Sequence, residues 1–203
     1  DIDQSLVENT EMYLAWSLFL SNSNDDAVKY MQKIVENSER LDSTDKNLLL
    51  IAGEAFLVKK EFRNARLCLQ KATESFGNNN NIISRSYFRL AEAEIGLGEN
   101  ASAIEKFRRL SNDENADKYF KAEASLMLAK ILIANGNKNE AIEYLKKCDE
   151  WSENSNTAPQ ARLALAEILS QSNETLEMAK AYAIKSFLTS NDSDLIKKAM
   201  LLD

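Results

Sequence analysis

The chain of 203 residues is predicted to be all-α, a solenoid of five antiparallel helix–turn–helix repeats. Three observations predict it. Five stretches open with an alanine followed by apolar residues at helical spacing, and those alanines, Ala27, Ala65, Ala103, Ala141 and Ala179, stand 38 residues apart throughout. A second small residue precedes each: Ala15, Gly53, Ala91 and Ala129 by 12 residues, and Ala166 by 13, so the fifth turn carries one extra residue. Small residues at matched positions let two helices approach closely where they cross. The composition agrees, because five glycines and one proline are too few for a fold of tight hairpins, while the 44% hydrophobic and 28% charged residues suit a globular helical chain.

The elements follow in order. The first unit has helices at 5–21 and 25–38 around the turn Ser21–Asp25, and the second has 44–59 and 62–76 around Lys59–Glu61. The third has 81–97 and 100–111 around Gly96–Asn100, and the fourth 117–135 and 138–150 around Asn135–Asn137. The fifth has 158–171 and 174–189 around Ser170–Glu174. Gly and Asn in these turns suit the left-handed residue that ends a helix, and Asn or Asp then caps the next. The links between units, at 42–45, 77–81, 112–117 and 152–157, are polar, and Pro159 stands near the first turn of its helix behind caps at Asn156 and Thr157. A last helix over 192–202, with Leu195, Ile196, Ala199, Met200 and Leu201 on one face, is placed as a cap on the open end. The reading is one domain, 1–203, with repeats at about 8–41, 46–79, 84–117, 122–155 and 159–190.

The residues resemble tetratricopeptide repeats. The third unit matches best, with Tyr87, Leu90, Ala91, Gly98, Ala103, Phe107 and Leu110 in the family's large and small slots; the fourth follows with Leu128, Ala129, Gly136, Ala141 and Leu145. The second has Gly53, Phe56, Phe62, Ala65 and Leu69, the first Ala15, Ala27 and Met31. The family's closing proline is absent from every unit, and the period of 38 exceeds the usual one. The resemblance covers about residues 8–190 and implies a right-handed superhelix whose first helices line a concave groove.

Several functions are excluded by composition. With no histidine, the chain has no His-based acid–base or nucleophile system. The net charge of −7 and the pI of about 4.9 disfavour nucleic acid and anionic membrane surfaces. No run approaches the roughly 20 apolar residues of a membrane span. The acidic clusters Asp113, Glu114, Asp117 and Asp192, Asp194 lack the calcium-loop pattern and read as caps, so neither metal nor cofactor is expected. Cys68 and Cys148, two repeats apart, are expected to be buried thiols beyond disulfide reach. Free thiols lean toward the cytoplasm; a start at Asp1 suggests an excised or processed piece and keeps a bacterial periplasm open.

The expected function is a non-enzymatic scaffold for protein–protein interaction, binding a helical or extended peptide in the groove implied by the resemblance. Matching the repeats places Trp16, Leu50, Glu54, Arg85, Phe88, Arg89, Glu92, Met127 and Lys130 as candidate peptide-binding residues, with Asn9 and Met12 as further first-unit groove positions; the apolar ones either pack between neighbouring first helices or floor the groove for a bound segment. Arg85 and Arg89 share a helix face, either to receive a partner's carboxylate or to pair with Glu54 across the groove and Glu92 along the helix. The family's clamp for a C-terminal carboxylate is incomplete here, since Met12, Trp16 and Ile51 replace its polar residues. The alternative is structural: self-association, or an assembly module of a larger protein such as a bacterial envelope assembly factor.

Overall fold

The computed structural model of the chain describes residues 10, 13–19, 21, 24–37, 41–42, 44–74, 80–152 and 157–201. The start of the first predicted helix, the groove positions Asn9 and Met12, the link at 77–79 and the cap Asn156 lie outside these residues. Among the described residues the regular elements are helical and no strand occurs. In order they are residues 13–19 (α1), α2 (Asn24–Val35), α3 (Lys46–Val58), α4 (Phe62–Thr73), α5 (Asn80–Gly96) and α6 (Asn100–Asn112). There follow α7 (Lys118–Ala134), α8 (Lys138–Trp151), α9 (Thr157–Leu169), α10 (Leu176–Thr189) and α11 (Ser193–Met200). The extra residue of the fifth turn is taken up by a short 3-10 helix, Asn173–Thr175, ahead of α10.

Three hairpin turns use one geometry. Lys60, Gly98 and Gly136, 38 residues apart, have φ of 59°, 79° and 81°, and each sits in the left-handed region. Behind each, the next amide donates to a carbonyl five residues back: Glu61 to Phe56, Glu99 to Glu94, Asn137 to Leu132. This closed C-terminus satisfies carbonyls that the helix leaves unpaired and reverses the chain. At the other ends, Asp45, Asp117 and Asp192 cap α3, α7 and α11 by accepting amides of the first turn.

The helices form two compact units, Asp1–Lys106 and Phe107–Asp203, and α6 crosses the division. In the first unit α3 packs on α4, and α4 on α5. The core gathers Met31, Leu48, Leu49, Phe56, Cys68 and Leu69, all at most 2% exposed. Each such side chain contributes roughly 1.5–3 kcal/mol by leaving water. Gly53 occupies the small slot against Leu69: a Cβ there would stand 2.4 Å from Leu69 Cγ, so the helices meet with no room for a methyl group. Ala91 and Ala103, the small pair of the third unit, are both fully buried.

In the second unit α7 packs on α8, α8 on α9, α9 on α10 and α10 on α11. Ala129, Ala141 and Ala166 are fully buried and Ala179 nearly so. Ser111 and Ser125 share a buried 2.7 Å hydrogen bond, and the Ser186 hydroxyl donates to the Pro159 carbonyl at 2.8 Å. Cys68 and Cys148, one in each unit, are free, buried thiols. Burial pushes both thiols up to about 12.

Candidate functional site

In the first unit, first-helix residues of successive repeats bring four charges together. The Arg85 guanidinium grips Glu54 with two bonds, Nε to Oε1 at 2.7 Å and Nη2 to Oε2 at 2.5 Å. Arg89 donates to Glu54 Oε1 at 3.1 Å and to Glu92 Oε2 at 2.7 Å. Glu54 is held between the two cations with its side chain 14% exposed, while Arg85 and Arg89 are 43% and 36% exposed. Burial works against the Arg89 charge, but Glu92 and Glu54 outweigh it and raise its pKa. Of the two readings weighed for these arginines, the ion-paired geometry is present, with both expected carboxylates. Two cations and two anions make the cluster electrically neutral.

Beside the cluster lies a pocket of about 470 Å³, lined by Phe19, Leu57, Val58 and Phe62 on its apolar side and by Glu54, Arg89 and Glu92 on its polar side. Gly96 shapes the neighbourhood, since a Cβ there would fall 2.3 Å from the Phe62 ring. Leu50 and Phe88, expected on the groove floor, are each only 5% exposed; they pack against neighbouring helices and offer a partner almost no surface. Trp16 is partly exposed, its ring 6.3 Å from Tyr13. Val58 and Phe62 are not among the candidates from sequence. The signal for Val58 is an apolar residue in the last turn of α3 that remains 60% exposed, which the repeat pattern alone does not reveal.

Met127 and Lys130 belong to the second unit. Met127 is half-buried, and exposed Lys130 donates to Gln160 Oε1 at 3.1 Å, linking α7 to α9. Glu123, one turn earlier, accepts from the Thr157 hydroxyl. The second unit also holds a group that sequence reading missed. Arg162, 2% exposed, donates to Asp149 at 2.5 Å and to Thr189 Oγ1 at 2.7 Å.

These are stacked helical hairpins with small residues at their crossings and glycines at their turns, the build of a helical-repeat protein. The sequence profile described as tetratricopeptide repeat matches residues 122–155. No curated protein matches the chain in sequence. Solved structures similar in fold include the MamA protein, with a TM-score of 0.67 at 16% identity over 90% of this chain and 91% of that one. The quorum sensor NprR from B. thuringiensis, in its apo form, gives 0.70 at 14% identity over 91% of this chain; the match spans 54% of NprR. TTC0263, a tetratricopeptide-repeat protein of Thermus thermophilus, gives 0.56 at 18% identity, covering 96% and 98% of the two chains. The chain has the fold of the tetratricopeptide-repeat α-solenoids, the class expected from its sequence, and residues 122–155 carry the repeat's sequence pattern. That fold generally serves as a non-enzymatic scaffold for protein–protein interaction. Among the described residues no helix is long and apolar enough to cross a membrane.

Proposed function

We propose that this chain is a protein-interaction scaffold whose first unit binds an extended or helical segment of a protein partner through an apolar anchor. The observation that carries the reading is the pocket of about 470 Å³ with Phe19, Leu57, Val58 and Phe62 on one side and the neutral Arg85–Glu54–Arg89–Glu92 cluster on the other. An apolar side chain of the segment enters between the hydrophobic residues. The charged cluster fixes the polar edge: each guanidinium is more than a third exposed and offers N–H groups to backbone carbonyls of the segment. Because Glu54 and Glu92 together already neutralise the two arginines, a segment with a carboxylate gains less here than at an unpaired cation, since it must compete with ion pairs in place. In the second unit, half-buried Met127 and exposed Lys130 offer an apolar and a charged contact of their own.

The test is selection of peptides from a random displayed library on the intact chain and on Val58→Asp. Val58 is 60% exposed, so the variant retains its fold. The reading expects peptides with one invariant large apolar residue on the wild type and loss of that class on the variant. Selection of the same peptides by both proteins would remove the pocket from the binding site.

A further inference from the structure

The fifth repeat breaks a rule that the other four obey on the outer face of their second helices. One column of the 38-residue register reads Asp26, Asn64, Ser102 and Glu140, then Met178. A second reads Gln32, Gln70, Arg108 and Lys146, then Ile184; a third reads Glu36, Glu74, Asn112 and Glu150, then Leu188. The register is intact in α10, because Ala179, Ala183 and Ser186 are buried as are Ala141, Leu145 and Cys148 one repeat earlier. The three polar columns therefore turn apolar together, in one helix, while staying in contact with water. In earlier repeats the following hairpin meets these columns through polar groups: Gln32 donates to Glu61, Arg108 donates to Glu140 and Asn112 accepts from Lys147, while Lys146 and Glu150 remain exposed although α9 packs on α8.

We propose that this face of α10, together with the end of α11, is the contact surface between two copies of this chain, related by a two-fold axis. The area is of the right order. Met178, Ile184, Phe187, Leu188, Met200 and Leu201 are 50%, 48%, 38%, 72%, 62% and 85% exposed. At roughly 150–250 Å² for a large side chain, these shares leave about 600 Å² of apolar surface on each copy. A stable interface buries about 800 Å² per partner, rim included. Isolated apolar residues on a surface are ordinary, but a contiguous patch of this size marks an interaction site.

The face offers a hollow and exposed apolar side chains, the two parts a two-fold contact uses. A cleft of about 290 Å³ runs between α10 and α11, lined by Ala183, Ile184, Phe187, Leu188, Ala199 and Met200, and Leu201, next in the chain, is 85% exposed. A two-fold contact requires a knob and a hole on the same face, so that each copy fills the other. The charges around the face permit like to meet like. Lys180 is held by Glu177 at 3.4 Å, Lys185 by Asp149 at 3.2 Å and Lys197 by Asp194 at 3.7 Å. Two such rims meet without the penalty of facing uncompensated charges of one sign.

The experiment is sedimentation velocity of the intact chain over the micromolar range, comparing the wild type with the double variant Ile184→Lys, Leu188→Glu. That variant installs the residues found in the same columns one repeat earlier, Lys146 and Glu150, and adds no net charge. The expected result is a concentration-dependent dimer for the wild type and at least tenfold weaker association for the variant, with unchanged helix content. Leu201→Lys, at a side chain 85% exposed, gives the same loss of dimer and decides the matter if the double variant fails to fold. Val58→Asp, in the first unit, leaves the dimer intact. A wild type that stays monomeric throughout, or a dimer that survives in a folded double variant or in Leu201→Lys, overturns the proposal; a monomeric wild type assigns the face to a different partner.

Discussion

Arg162 and Asp149 form a 2.5 Å ion pair between α9 and α8, with side chains 3% and 14% exposed. Thr189 Oγ1 takes a second guanidinium bond at 2.7 Å, and Lys185 reaches the other Asp149 oxygen at 3.2 Å, so α8, α9 and α10 are tied through one buried cation. Desolvating such a pair is costly, and removing Arg162 leaves Asp149 with only the half-exposed Lys185, a weaker compensation. Arg162→Ala should destabilise the chain by about 3 kcal/mol in urea unfolding, the low end for a broken buried pair because Lys185 stays on Asp149. The double variant Arg162→Met, Asp149→Leu should recover most of that loss, because apolar groups of similar volume carry no charge to bury. A loss under 1 kcal/mol for the single variant would show that water reaches the site.

The αL turn residues supply a second prediction. Lys60 holds φ of 59° at the position where the next two repeats place Gly98 and Gly136. A side chain there costs roughly 1–2 kcal/mol, partly offset by the greater freedom glycine has when unfolded. Lys60→Gly should therefore stabilise by about 0.5–1 kcal/mol. Gly98→Ala should destabilise by about 1 kcal/mol through conformation alone, since a Cβ there meets nothing within 4 Å. Opposite signs in thermal or urea midpoints are the check; equal signs would mean that the turn rearranges.

How much of this was legible follows from what kind of signal each feature leaves. The helices were legible because the 38-residue register repeats the same small residues, and predicted limits such as 62–76 and 138–150 fall close to Phe62–Thr73 and Lys138–Trp151. The left-handed Lys60 is visible through register only, as a lysine where glycine stands in two other repeats. The Arg85–Glu54 pair was readable as one of two alternatives, because matched positions on adjacent first helices face one another. The burial of Leu50 and Phe88 was likewise one of two alternatives, since periodicity shows which face a residue occupies but not how closely the neighbouring helix approaches. Arg162 between Ala161 and Leu163 reads as a solvated charge, and what buries it is Asp149 and Thr189 from two other helices.

The phase of the repeat can be tested directly. Ala103 is fully buried and Ala101 is exposed. Ala103→Leu should overpack the third hairpin and cost about 1–3 kcal/mol. Ala101→Leu should fall within about 0.5 kcal/mol of the wild type. Equal costs in chemical unfolding would show that the two positions do not differ in packing.

The thiols set an alkaline limit. Cys68 and Cys148 are pushed from 9.0 up to about 12 by burial. The unfolded chain loses these protons first, so between those two pH values it binds fewer protons than the folded chain, and stability falls as pH rises. Below pH 9 the two thiols contribute no slope. Above it each adds about 1.4 kcal/mol of lost stability per pH unit. Cys68→Ala should flatten the alkaline arm relative to the wild type, and both thiols should resist a thiol reagent at pH 8 until the chain is unfolded. Rapid labelling of the native protein would contradict the burial.

The charged cluster makes the most specific statement about binding. Glu54 accepts three bonds, from Arg85 at 2.7 and 2.5 Å and from Arg89 at 3.1 Å, and Glu92 completes the neutral set. Glu54→Gln removes one negative charge, so the cluster carries one uncompensated positive charge. A segment anchored mainly by an apolar residue should bind the wild type with nearly the same affinity at low and high salt. The same segment with one added Glu should gain little on the wild type. On Glu54→Gln it should gain up to about tenfold, roughly 1.4 kcal/mol, and high salt should remove that gain by screening a partly exposed pair. Calorimetric titration of both segments against both proteins at two salt concentrations measures all of these terms. A wild type that already prefers the acidic segment, with strong salt dependence, would mean that the partner's carboxylate displaces Glu54 from the arginines and that the charge pairs, not the apolar pocket, dominate recognition.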